Sequence, residues 1–117
     1  MKLPWMKKKG YGPDDVRTEK GIPIDEHQEI DPMTGQQKDY LVLIEKELSK
    51  GYIRPVRRSY THLKCGNVTT MGESIARTYA RDPSFYGGTF CAHCGGHFPI
   101  GANGEFVWLD SDEKVGT

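Results

Sequence analysis

Cys91-Ala-His-Cys94 is a Cys-x2-Cys pair, and His62-Leu-Lys-Cys65 repeats its spacing upstream with an imidazole in the first position. All three cysteines of the 117-residue chain fall in these two knuckles. Thiolate and imidazole suit Zn2+, and two such groups three residues apart can close on one ion. The pattern therefore predicts a tetrahedral zinc site formed by His62, Cys65, Cys91 and Cys94. His97, three residues beyond Cys94, is the alternative fourth ligand, whereas His93, set between two ligands, is expected to point away. Four protein ligands leave no coordination position for water, which gives the ion a structural rather than a catalytic part. Gly66 and Gly95-Gly96 follow the two knuckles, where unusual dihedrals would let backbone amides turn towards the sulfurs.

These ligands need elements to hold them. Leu41, Ile44 and Leu48, with Tyr40, fall on one face at helical spacing, so a helix is expected over residues 38–50 with Gly51 as its stop. Tyr52 to Tyr60 alternates as an extended segment, demoted to an edge strand by Pro55, and runs into the first knuckle. Thr70 followed by Glu73 has the form of a capping box, and Met71, Ile75 and Tyr79 continue a second helix until Asp82-Pro83. Phe90 to Ile100 and Glu105 to Leu109 read as strands joined by a loop with Asn103-Gly104, and Lys114-Val115 as a short edge. Residues 1–37, punctuated by four prolines and four glycines, show no sustained period and read as an irregular N-terminal arm. The expected architecture is thus a single zinc-stabilised α+β domain over residues 38–117. Its core would be a zinc-ribbon or treble-clef-like β-hairpin with two helices.

Composition narrows the function classes. A chain this short has a modest core, with 36% apolar residues, 14 Gly and 7 Pro, so a metal is a useful staple. An odd number of cysteines and the lack of a signal-like apolar run point to a reducing compartment, the cytosol. No stretch nears the length needed to cross a bilayer. Net charge is zero, but residues 1–20, 21–49, 50–81 and 82–117 carry +3, −5, +6 and −4. Such blocks can neutralise one another within one fold or present a basic face. Arg54, Arg57, Arg58 and Lys64, interleaved with Tyr52 and Tyr60, are the candidate nucleic-acid contacts, since guanidinium groups pair with phosphates and aromatic faces stack on bases. His27-Gln-Glu29 with Cys91-x2-Cys94 superficially echoes a zinc deaminase, but Phe90 stands where that signature has proline.

From Gly51 to Thr117 the chain resembles a group of small uncharacterised zinc-ribbon-like proteins encoded in bacteriophage genomes, notably those of actinobacterial phages. The likeness rests on Tyr60-Thr-His-Leu-Lys-Cys-Gly66, Ile75-Ala-Arg-Thr-Tyr-Ala-Arg-Asp-Pro-Ser-Phe-Tyr-Gly87, Thr89-Phe-Cys-Ala-His-Cys94, and His97-Phe-Pro with Glu105-Phe-Val-Trp108. It implies a phage or prophage setting and a metal site at the matching positions, and brings no activity with it. The expected function is a binding module for a host or phage protein. The competing readings are a nucleic-acid-binding zinc ribbon, a small metal-dependent enzyme such as a nuclease, and a structural virion component.

Overall fold

Three consecutive buried residues, Leu41, Val42 and Leu43, decide the first half of the chain. A helix cannot bury three successive positions on one face, but a strand covered on both sides can. In the computed structural model, which describes residues 10–117, they form β2 (Leu41–Leu43), antiparallel to β1 (Val16–Thr18). The helix expected over residues 38–50 is accordingly one turn, α1 (Glu45–Leu48). Expected as irregular, the segment before residue 38 supplies β1, a 3-10 turn at Ile24–Glu26 and a bridge between Ile30 and Gln37. A boundary at residue 37 would therefore cut the β1–β2 pair. Met1 to Lys9, the start of that arm, lie outside the described residues.

Asp39 holds this segment in place. Its fully buried carboxylate accepts backbone N–H bonds from Lys20, Ile22 and Tyr40 at 2.8 to 3.1 Å. Lys20 and Ile22 belong to an irregular stretch with no strand partner, so one side chain supplies acceptors that a sheet would otherwise provide.

The second half is two hairpins and a helix. β3 (Ser59–His62) lies between β4 (Val68–Thr70) and β7 (Phe106–Trp108), all antiparallel. It is thus a central strand that starts at Ser59, not an edge strand from Tyr52, and Pro55 falls in the irregular stretch before it. α2 (Glu73–Arg81) ends where Asp82-Pro83 predicts, but Gly72 is its N-cap and no side chain caps it. Thr70 belongs to β4 and its hydroxyl pairs with that of Ser59, so the capping box does not form.

β5 (Gly88–Cys91) and β6 (Gly96–Pro99) pair across the second knuckle, dividing what reads as one strand. β7 does not pair with β6 through Asn103-Gly104. It joins β3 instead, placing Trp108 opposite Tyr60 and Phe106 opposite His62. Lys114 bridges to Val107, as the short edge predicts.

An aromatic chain fills the centre. Tyr60 meets Phe106 and Trp108 edge-on, Trp108 meets Tyr79, Tyr79 meets Tyr86, and Tyr86 meets Phe85, with ring centroids 4.8 to 6.3 Å apart. Buried tyrosine hydroxyls need acceptors, and Tyr60 finds the carbonyl of Phe90 while Tyr86 finds that of Leu41. These bonds stitch the three sheets together. Asp39→Ala would leave three backbone donors without their acceptor, and urea unfolding is expected to show a loss of about 3 kcal/mol. A loss near zero would mean that the carboxylate does not anchor the segment.

Candidate metal centre

The two knuckles are built alike. His62 is the last residue of β3 and Cys91 the last of β5, so each hairpin delivers one ligand from a strand end and a second from the turn that follows. In each turn the glycine amide returns to the first ligand's carbonyl, Gly66 to His62 at 2.7 Å and Gly95 to Cys91 at 2.8 Å. Gly66 (φ 76°) and Gly95 (φ 68°) both occupy the left-handed region, which any other residue enters at a cost. Their amides thus close the turns instead of pointing at sulfur. An amide that does so is that of Cys94, 3.5 Å from Cys91 Sγ, and the Asn67 amide does the same for Cys65.

The hairpin tips bring His62, Cys65, Cys91 and Cys94 together, with one potential ligand atom from each lying within 4.8 Å of all the others. Cys65 Sγ and Cys91 Sγ are 3.6 Å apart, and Cys94 Sγ lies 3.5 Å from His62 Nδ1. Ideal zinc bonds on a tetrahedron give about 3.8 Å between sulfurs and about 3.5 Å between sulfur and nitrogen. The donor set and its spacing therefore fit a tetrahedral metal ion. The three cysteines are free thiols in the structure.

His62 is held by its surroundings more firmly than the sulfurs. Its ring is buried between those of Phe98 and Phe106, stacked at 4.7 and 4.6 Å. With Nδ1 facing Cys94, Nε2–H donates to Glu105 Oε1 at 2.8 Å. The carboxylate fixes the tautomer that leaves the Nδ1 lone pair for a metal and makes that nitrogen more basic. Glu105 is held below the usual carboxylate range, first by the His62 hydrogen bond and then by Lys64, whose Nζ is 3.4 Å from Oε2. It opens the β7 segment, and its carbonyl accepts from Leu63 inside the first knuckle. Nothing in the local sequence announces this role, because the pair is 43 residues apart.

The sulfurs are unequal. Burial works against a Cys65 thiolate, but hydrogen bonds from the backbone and side chain of Asn67, and then from Cys91, outweigh it and bring the thiol down to about 6. Burial pushes Cys94 up to about 11, helped by the two sulfurs beside it. Three thiolates cannot all be charged at this spacing without a cation, and a divalent ion would remove the conflict.

His97 stands apart from the four. It lies in β6 opposite Phe90, and its Nε2 is 2.9 Å from the hydroxyl of Tyr40. The early segment reaches the second knuckle again at Gly35, where a methyl group would come within 1.9 Å of the Gly95 carbonyl oxygen. His27, the histidine of the deaminase-like pattern, is buried with Nδ1 on the Ile24 carbonyl.

The basic residues named from the sequence have internal acceptors. Arg54 donates to the Thr117 carbonyl, and Arg58 to that of Met71. Arg57 lies over the Trp108 ring at 4.8 Å and pairs with Glu113, while Lys64 pairs with Glu105. Arg77 makes a two-point contact with Glu45.

Among the described residues no helix is long and apolar enough to cross a membrane. Comparison with protein-family models, curated proteins and solved structures finds no match. The site's chemistry must be judged from its own geometry.

Glu105→Gln keeps the shape but loses the negative charge, and should weaken metal retention about 10- to 100-fold in a chelator competition. His62→Ala should release the ion more readily still, and His97→Ala should not. The reverse order for the two histidines would reassign the fourth ligand.

Proposed function

We propose that this chain is a zinc-stabilised, zinc-ribbon-like binding module whose ion is structural and whose partner is a protein. The observation that carries the reading is the convergence of His62, Cys65, Cys91 and Cys94 from the tips of two hairpins. Three sulfurs and one imidazole favour Zn2+ over harder ions, and four protein ligands complete its preferred tetrahedron. Zinc at this place would cross-link the β3–β4 and β5–β6 turns, adding to the bonds that Tyr60 makes to the Phe90 carbonyl and the Ala92 amide makes to the Thr69 hydroxyl. The resemblance to phage-encoded proteins supports a phage or prophage setting, with action in the cytoplasm of the host cell.

A protein partner is favoured over nucleic acid by how the surface charges are spent. Arg57, Arg58, Lys64 and Arg77 are engaged with acceptors of the chain itself. Beside them Tyr52, Ile53 and Val56 expose 43, 60 and 42% of their surface in an irregular segment. Apolar side chains grouped in this way are of more use to a protein than to a phosphate backbone.

Elemental analysis of reduced protein is expected to give about one zinc per chain. Substitution by Co2+ should give the intense visible bands of a tetrahedral thiolate site, unchanged by azide, cyanide or added imidazole. Spectral shifts with those small ligands would reveal an open position and favour the enzyme reading. A preparation that neither contains nor takes up zinc would remove the proposal.

A further inference from the structure

A cavity of about 320 Å3 opens beside the metal centre but does not include its ligands. It lies among the ends of β1 and β2, strand β4, the start of α2 and strand β5. Tyr40, Tyr60, Tyr79, Tyr86 and Phe90 contribute to its lining. The hydroxyls of Tyr60 and Tyr86 are spent on the carbonyls of Phe90 and Leu41, and that of Tyr40 on His97. With these polar ends turned to protein partners, those rings face a ligand chiefly with aromatic carbon, beside the polar side chains of Gln36, Thr69 and Thr89.

Glu19 supplies the lining's one carboxylate. Its backbone is fixed by a bond from its amide to the Tyr40 carbonyl at 2.9 Å. Its side chain lies against Gly72, where a methyl group would meet Oε2 at 2.1 Å. Among the described residues that carboxylate accepts no hydrogen bond, because the nearby guanidinium groups donate elsewhere. Arg17 serves the carbonyls of Thr18 and Glu19 and the hydroxyl of Ser74, and Arg58 serves Met71. Burial raises the Glu19 carboxyl above its ordinary range, against the opposing pull of Lys20, Arg17 and Arg58.

A half-buried carboxylate in an aromatic wall suits a ligand that brings donors and a flat, weakly hydrated face. A single acidic group is too few for a metal ion, and the volume lies within the range of small-ligand pockets. Guanidinium is planar, sheds water more readily than ammonium, stacks on aromatic rings and offers two parallel N–H groups to a carboxylate. We propose that this cavity binds a guanidinium group on an apolar stem, with Glu19 as its counter-ion and the tyrosine-lined wall as its stacking surface. The ligand is free arginine or an arginine side chain of a peptide, and the inference is independent of the ion at the knuckles.

Lys20 gives the proposal a sign. It is the one cation in the lining, is exposed, and makes no ion pair with Glu19. Removing it should therefore strengthen binding of a cation and weaken binding of an anion.

The test is a titration of the metal-loaded full chain, followed by backbone amide NMR. The probes are Nα-acetyl-arginine amide, its uncharged citrulline counterpart and Nα-acetyl-glutamate amide. The arginine probe should shift amides of residues 19, 40, 72 and 89. The citrulline probe, and the arginine probe on Glu19→Gln, should each bind at least about tenfold more weakly. Lys20→Met should tighten the arginine probe. Unchanged spectra away from the cavity show that both variants are folded. Free arginine binding as well as the blocked probe would mark a small-molecule ligand, and tighter binding of a peptide with an internal arginine would mark a partner's side chain; either carries the proposal. No shifts with arginine, equal binding of citrulline, no loss in Glu19→Gln, or preference for the glutamate probe would overturn it.

Discussion

The β3–β4 and β5–β6 hairpins meet at a point where like groups are forced together. Three sulfurs and an imidazole nitrogen lie within 4.8 Å, at the tips of hairpins whose strands belong to different sheets. Without a cation the arrangement holds only if protons remain on some of the sulfurs, as the opposed shifts of Cys65 and Cys94 express. With one, the same crowding becomes coordination, and the repulsion turns into the tie between the β3–β4 and β5–β6 hairpins. The aromatic stack on His62, the Glu105 carboxylate and the left-handed glycines each make sense as fixtures that hold a ligand in register.

This explains how much of the site could be read in advance. A Cys-x2-Cys or His-x2-Cys knuckle is a local device, closed within five residues by one backbone bond and one glycine, so its spacing survives in the sequence. The helix after Gly72 was legible for a similar reason, since Ile75 and Tyr79 repeat within it and Asp82-Pro83 stops it. Long-range choices left no such trace. Leu41, Ile44 and Leu48 match a helical period, yet Val42 is as buried as its neighbours, because residues 41–43 form a strand paired with β1 along its edge and packed against α2. β7 pairs with β3 and not with β6 because Trp108 and Phe106 find Tyr60 and His62 there. Nothing in the sequence around Asp39 or Glu105 marks the distant donors that each answers in the fold.

The division of labour between the two parts of the chain follows. The segment before residue 38 supplies β1, the loop anchored on Asp39 and the Gly35 approach to the second knuckle, so it completes the domain on one side. Surfaces left over are of two kinds. The irregular 51–58 stretch displays apolar side chains between arginines that are already engaged, while the cavity at Glu19 is concave, walled by tyrosine rings and carries one carboxylate. Neither requires the ion to react.

The most direct measurement is zinc K-edge absorption fine structure on the reduced, metal-loaded protein. The account predicts a first shell of three sulfurs at about 2.3 Å and one nitrogen at about 2.0 Å, with outer-shell scattering from a single imidazole. A first shell dominated by oxygen and nitrogen, or one with fewer than three sulfurs, would contradict it.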